Sequence, residues 1–352
     1  MNDCNLFDNE INSFLISMGQ TAFDMRIPLS ATFELTAGCN FRCPMCYVRL
    51  DADDIKSRGG ELSNEQWLCI ARQAKELGVL YLTLTGGEVF SRKGFRELYE
   101  ELTKMGFLIS ILTNGYLIDE DVISWLSRMP PYTIRISLYG ASNETYKTMC
   151  GISDGFDRVK KAIGLIKDAK IPLHLVSTLI NENIKDADAI VRFAYENGLS
   201  VYPTVNVVDA VRGASADVKA HRIDLTNPTD EQRASVGRTE RLYPKRIGLF
   251  DRCSAYRRSF WLTWDGNMTM CSFMDTPSVS VKGASLGNAW NSLCDALDGL
   301  KESSKCTNCR YEGFCRRFPG VFSAQCGSPN EPTDEFCETA KRLYELFSID
   351  TE

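Results

Sequence analysis

Between residues 31 and 208 the apolar positions follow two periods that take turns along the chain. "SATFELT" alternates polar and apolar residues, as a strand with one buried face does. "NEQWLCIARQAKELG" instead repeats its apolar residues every three to four positions, with Ser63 or Asn64 to open a helix and Gly78 to close it. "VLYLTLTGG" reads as a buried strand, "GFRELYEELTKMG" as a helix and "FLISILTNG" as a strand. The exchange continues through "DEDVISWLSRM", "YTIRISLYG", "FDRVKKAIGLIKDAK", "IPLHLVSTLI", "DADAIVRFAYENG" and "LSVYPTVNVV". Six strands with five helices between them predict an α/β fold with a parallel sheet and its helices outside. Eight such units close a barrel, so six predict a partial, TIM-like (β/α)6 barrel.

Residues 209–250 are polar and weakly periodic, a bridge with one expected helix near "TDEQRASVGRTERL". From Arg252 the rhythm stops and cysteines multiply, which predicts a small second domain held by metal more than by a large core. The expected division is an amino-terminal extension (1–30), the partial barrel (31–208), the bridge (209–250) and a cysteine-rich domain (251–352).

Composition narrows the function. The 352 residues are 44% hydrophobic, enough for about two domains, and 46 acidic against 40 basic residues give a net charge of −6. A nucleic-acid binder usually carries a basic excess, so that class is disfavoured. The acidic start "MNDCNLFDNE" lacks the order of a secretory signal, and no apolar run nears the roughly 18 residues of a membrane span. A cytoplasmic protein with no membrane partner is expected.

The fourteen cysteines sharpen the picture. Disulfides are rare in a reducing compartment, where clustered cysteines point to metal or catalysis. Cys4, Cys69 and Cys150 are scattered and read as ordinary thiols. Three others fall in "CNFRCPMC", directly after the first strand, at the carboxyl edge where α/β folds place their chemistry. Three thiolates can hold three irons of a 4Fe–4S cluster and leave the fourth iron open. Zinc would want a fourth ligand, and the two histidines, His174 and His221, are far away in sequence.

The spacing of Cys39, Cys43 and Cys46, followed by the aromatic Tyr47, resembles the signature of radical S-adenosylmethionine enzymes. The resemblance implies that the open iron binds S-adenosylmethionine. One-electron cleavage then yields a 5′-deoxyadenosyl radical, with the reducing electron from a donor such as flavodoxin or ferredoxin. "TGGE" at the end of the second strand resembles the motif that receives the methionine ammonium, through the backbone of Gly86 and Gly87 and the carboxylate of Glu88. Asn114 and Ser137, at the ends of the third and fourth strands, are the further cofactor candidates. Either can also be a plain turn residue. Lys147 is a candidate partner for the cofactor carboxylate, Val176 and Val205 for the adenine. His174 reads better as a core histidine than as a cavity residue.

The tail resembles the SPASM extension of the same enzymes: Cys253, then "GNMTMC" with Cys271, then Cys306, Cys309 and Cys315 in "CTNCRYEGFC", then Cys326 and Cys337. It departs from that pattern at Pro319, where a cysteine belongs. The resemblance implies two auxiliary 4Fe–4S clusters, an outer one on Cys306, Cys309, Cys315 and Cys337 and an inner one on Cys253, Cys271 and Cys326 with a vacant iron. A single cluster with the other thiols structural is the competing reading. Cys294 sits on an apolar helical face and reads as core.

SPASM enzymes act mostly on peptides and proteins. The expectation is therefore an oxidative peptide-modifying enzyme, a maturase forming thioether or carbon–carbon crosslinks. The alternative is an anaerobic sulfatase-maturating, formylglycine-forming enzyme, against which Ser272 after Cys271 argues mildly. An electron carrier without catalysis would explain the tail but not "TGGE". Arg212, Arg233, Arg238 and Arg241 are the bridge's candidates for meeting an acidic leader peptide.

Overall fold

The computed structural model describes residues 16–225, 227, 229, 248–250 and 253–348. The expected bridge helix, Cys4, Arg233, Arg238 and Arg241 lie outside those residues. Strands β1 (Ser30–Glu34), β2 (Tyr81–Thr85), β3 (Leu108–Thr113), β4 (Thr133–Ser137), β5 (Leu173–Thr178) and β6 (Pro203–Thr204) run parallel and side by side in chain order. The sheet is not closed, so the fold is an open, partial (β/α)6 barrel.

Each strand buries one face. Ala31 and Phe33, Leu82 and Leu84, Ile109 and Ile111, Ile134 and Ile136, Leu173 and Leu175 are all buried among the helices. Burying the leucine, isoleucine and phenylalanine side chains among them contributes about 1.5–3 kcal/mol each. The alternate residues Thr32, Thr83, Ser110, Ser137 and Val176 lie on the opposite face and are not buried. "VLYLTLTGG" is thus buried on one side only, because an open sheet leaves its concave face free to line a cleft. His174 belongs to that open face, exposed and in register with Arg135; the expectation of a core histidine was wrong.

The helices end on local signals. Asn64–Glu76 starts at Ser63 in a capping box with Gln66, which satisfies two donors of the first turn. Its Trp67 is fully buried and its ring centroid lies 4.9 Å from that of Phe33. Asp119 caps Glu120–Leu126 and Ser142 caps Asn143–Cys150. The sixth strand is far shorter than 199–208. Only Pro203 and Thr204 pair, with Ser177 and Thr178, since proline has no N–H for a ladder and is confined to edges.

The tail does not stand apart from the sheet. β7 (Ser259–Leu262) pairs parallel with the free side of β1, Ser30 opposite Ser259 and Phe33 opposite Leu262. β8 (Asn267–Thr269) and β9 (Val279–Ser280) follow antiparallel. Phe260, Leu262, Met268, Trp290, Leu293 and Cys294 join the same buried core as the barrel. Much of the stretch 259–298 is therefore held by packing against the barrel as well as by its cysteines. β1 lies between β2 on one side and β7 on the other, where the chain's direction of travel across the sheet switches. Open α/β sheets bind ligands at the carboxyl end of such a point.

Candidate active site

β1 delivers the loop 35–47 to that point, and backbone bonds zip it to the end of β2. Leu35 N–H donates to Thr85 O (2.7 Å), Gly87 N–H to Thr36 O (2.8 Å) and Glu88 N–H to Gly38 O (3.0 Å). A Cβ on Gly86 would lie 2.4 Å from Thr36 O, and one on Gly87 2.2 Å from Gly38 O. The glycines are needed because backbone meets backbone here, a requirement internal to the protein.

Cys39, Cys43 and Cys46 line one cleft of about 250 Å³ together with Tyr47, Gly86, Gly87, Asn114 and Ser137. Each sulfur has hydrogen-bond donors. Phe41 N–H (3.3 Å) and Asn114 Nδ2 (3.8 Å) approach Cys39 Sγ. The backbone of Val48 and Arg49 serves Cys46, and the Tyr139 hydroxyl serves Cys43. Burial pushes the Cys39 thiol up to about 12, against the Phe41 N–H, and burial likewise raises Cys46. Metal-free, these thiols stay protonated, so a metal must displace their protons on binding.

The donor set fits an iron–sulfur cluster better than a single ion. Among the described residues no three His, Cys, Asp or Glu side chains gather tightly enough to share one metal ion. Zinc, with sulfur at about 2.3 Å, requires that gathering. A four-iron cluster places each thiolate on its own iron.

Glu88 is buried and faces inward. Its Oε1 accepts from Thr113 Oγ1 (2.8 Å) and Phe90 N–H (3.1 Å), its Oε2 from Asn114 N–H (2.7 Å). Burial raises its pKa, and those three donors oppose the rise. It does not line the cleft; the carboxylate braces the β2 and β3 ends that do. Asn114 spends its amide on Asn40 Oδ1 (2.8 Å), which ties β3 to the cysteine loop. Ser137 lines the cleft and bonds the Tyr139 hydroxyl. Val176 lines it too, whereas Val205 is buried behind and Lys147 is exposed on its helix. Met45, Tyr139, Thr178 and Phe273 also line it and had drawn no attention in the sequence. Placement at or beyond strand ends, and for Met45 inside the cysteine motif, is the signal that could have flagged them.

Tyr47 links the loop to the tail. Its ring lies 5.4 Å from that of Phe273, and its hydroxyl bonds Ser272. Beside it, buried Glu34 accepts from Arg212 Nη2 (2.8 Å) and Trp261 Nε1 (2.9 Å), while Arg212 Nη1 donates to Ser272 O (2.6 Å). Burial raises the Glu34 carboxyl, opposed by Arg212 and Trp261. Arg212 is thus an internal clamp between β1 and the Cys271 segment, so the idea that it greets an acidic leader is withdrawn.

In the tail, Cys315 is pushed up to about 12 by burial, with the neighbouring Cys306, Cys337 and Cys309 adding to the rise. Those four thiols therefore lie within electrostatic reach of one another. Cys271 is raised to about 11, by burial first and then by Cys253. Cys326 lies beside Thr333 (Sγ to Oγ1 3.8 Å). Cys294 is fully buried in the helix Leu286–Asp298.

An open parallel barrel with a three-thiol loop at its switch point and a thiol-rich tail defines a class of cofactor-dependent α/β proteins. Residues 33–194 match the family model of the radical SAM superfamily. The chain is 27% identical over 267 residues to the sporulation killing factor maturation protein SkfB of Bacillus subtilis, covering 73% of this chain and 63% of that protein. It is 30% identical over 167 residues to the PqqA peptide cyclase of Rhizobium meliloti, covering 47% of this chain and 44% of that one. A crystal structure of Streptococcus suis SuiB bound to S-adenosylmethionine superposes with a TM-score of 0.66 at 18% identity, covering 89% of this chain and 78% of SuiB. The chain therefore spans less than two thirds of the length of both curated relatives. Among the described residues no helix is long and apolar enough to cross a membrane.

Proposed function

We propose that this chain is a radical S-adenosylmethionine enzyme that oxidatively modifies a peptide, as a maturase of ribosomally made peptides. The observation that carries the reading is the meeting of the three-thiol loop and the "TGGE" turn in one cleft, which adjoins a cavity of about 560 Å³ along Asn206, Val207, Val208 and Phe273. The smaller space suits a nucleoside cofactor and the larger one a peptide segment. SkfB and the PqqA cyclase, whose names speak of peptide maturation and cyclisation, favour the same substrate class.

In this reading Cys39, Cys43 and Cys46 hold a 4Fe–4S cluster with one open iron. S-adenosylmethionine bound there, given one electron, supplies the power to remove hydrogen from an unactivated carbon. The chain's own part is orientation. The carbonyls of the Gly86–Gly87 turn meet the methionine ammonium, Glu88 keeps that turn and Asn114 in place, and Ser137 and Val176 contact the nucleoside. Tyr47 and the Glu34–Arg212 pair hold the Cys271 segment against the cofactor loop. Cys306, Cys309, Cys315 and Cys337 carry an outer auxiliary cluster, and Cys253, Cys271 and Cys326 an inner one that takes electrons from the oxidised peptide. A flavodoxin or ferredoxin supplies the reducing electron. Formylglycine formation is the lesser reading. An acid beside Cys271 would have to act as base, and the nearest, Asp275, already accepts the Arg212 backbone N–H (3.2 Å).

The test is reconstitution of the full chain with iron and sulfide, followed by S-adenosylmethionine and a low-potential reductant. Release of 5′-deoxyadenosine and about twelve irons per chain, four for each of three clusters, are expected. No 5′-deoxyadenosine would dismiss the enzyme reading in favour of a carrier, and about four irons would remove the auxiliary clusters.

A further inference from the structure

Cys150 stands 107 positions from Cys43 in sequence, yet their Sγ atoms are 3.7 Å apart. Its helix, Asn143–Cys150, follows β4 and ends on Gly151 in the left-handed conformation (φ 74°). Tyr146 and Cys150, one turn apart, share a helix face. That face is turned to the cysteine loop: Tyr146 packs edge-on to Phe41 (6.4 Å between centroids), and Arg42 N–H donates to Cys150 O (3.2 Å). Cys150 itself is buried. The Tyr139 hydroxyl hydrogen-bonds the same Cys43 sulfur.

A thiolate bound to iron has lost its proton and can only accept. With a cluster bound, Cys43 would be a thiolate, and the Cys150 thiol 3.7 Å away would be the donor of the pair. Hydrogen bonds to the sulfurs of an iron–sulfur centre are among the levers that set its potential. They draw charge from the sulfur and favour the reduced, more negative state. Two donors on one thiolate, inside a buried aromatic wall, form such a lever.

We propose that Cys150, together with the Tyr139 hydroxyl, is a positioning residue that donates a hydrogen bond to the Cys43 sulfur and holds the loop cluster at a higher reduction potential than its thiolates alone would give. The proposal rests on the reading that Cys39, Cys43 and Cys46 carry a 4Fe–4S cluster, and the test separates the two. The reconstituted full chain is titrated electrochemically while following the electron paramagnetic resonance signal that changes on adding S-adenosylmethionine. Cys150→Ala and Tyr139→Phe are each expected to move its midpoint to more negative potential, and Cys150→Ser, which keeps a donor, to move it less than Cys150→Ala. A purely packing role would shift Ser and Ala alike or neither, and either result overturns the proposal. Tyr139→Phe decides independently where Cys150→Ala does not fold: an unmoved midpoint there also overturns it. If the wild type shows no cofactor-responsive signal, the cluster reading itself fails. If that signal emerges only in Cys150→Ala, Cys150 is a fourth ligand and the donor role is wrong.

Discussion

Replacing Cys39, Cys43 or Cys46 by alanine is expected to abolish release of 5′-deoxyadenosine while leaving the tail's iron in place. Each of the three thiols lines the same cleft, and each would serve a different iron, so none can stand in for another. Removing one leaves two protein ligands for four irons, and the bound iron should fall by about four per chain, roughly a third of the full complement. The loss should be complete, because cofactor cleavage depends on an open iron that exists only in the intact cluster. Cys69 is the control. It is exposed on the helix Asn64–Glu76, and Cys69→Ala should leave both iron and cleavage unchanged. Iron analysis and chromatography of the nucleoside check the pair. Cleavage retained in a loop variant would show that the reaction uses other sulfurs.

The second large effect is expected from Gly87→Ala, a change of one methyl group. Its Cβ would sit 2.2 Å from Gly38 O and 2.9 Å from Cys39 Cβ. Neither neighbour is a flexible chain end that can swing aside. Gly38 is held by its own N–H donating to Thr36 Oγ1 (2.9 Å) and by accepting from Glu88 N–H. Overpacking typically costs 1–3 kcal/mol, and a backbone collision belongs at the upper end, about 3 kcal/mol. A fall in melting temperature of roughly 4 °C follows for a protein of this size. The collision also pushes Cys39 out of place, so cluster content should drop with stability. Differential scanning fluorimetry and iron analysis on the same samples check both; a variant with wild-type melting and full iron would show that the loop is not zipped to β2 as described.

What could be read from the sequence was what is local. The six alternating units gave the open barrel because strand and helix periods are short-range patterns, and the cysteine loop was legible because its three thiols fall within eight residues of one strand end. Partnerships across the sheet were not legible. β7 pairs with β1 across more than 200 residues, and no period within "SFWL" says which strand it will meet. Cys150 looked incidental for the same reason, since the fold and not the spacing brings it to Cys43. The roles within "TGGE" were only half visible. The glycines were expected to make room for a ligand and in fact first make room for Thr36 and Gly38. Glu88, expected at the ligand, turns to Thr113, Phe90 and Asn114. His174 was misjudged because a histidine inside an apolar strand is buried only if both faces of the sheet are covered.

The central claim is that three sulfur ligands leave one iron free for the cofactor. Electron–nuclear double resonance on the reduced, reconstituted chain, with S-adenosylmethionine carrying a nitrogen-15 amino group and an oxygen-17 carboxylate, reads that iron directly. Hyperfine coupling of both labelled atoms to the cluster is the predicted result. A cluster that shows neither coupling, its fourth iron held by a side chain of the protein, would contradict it.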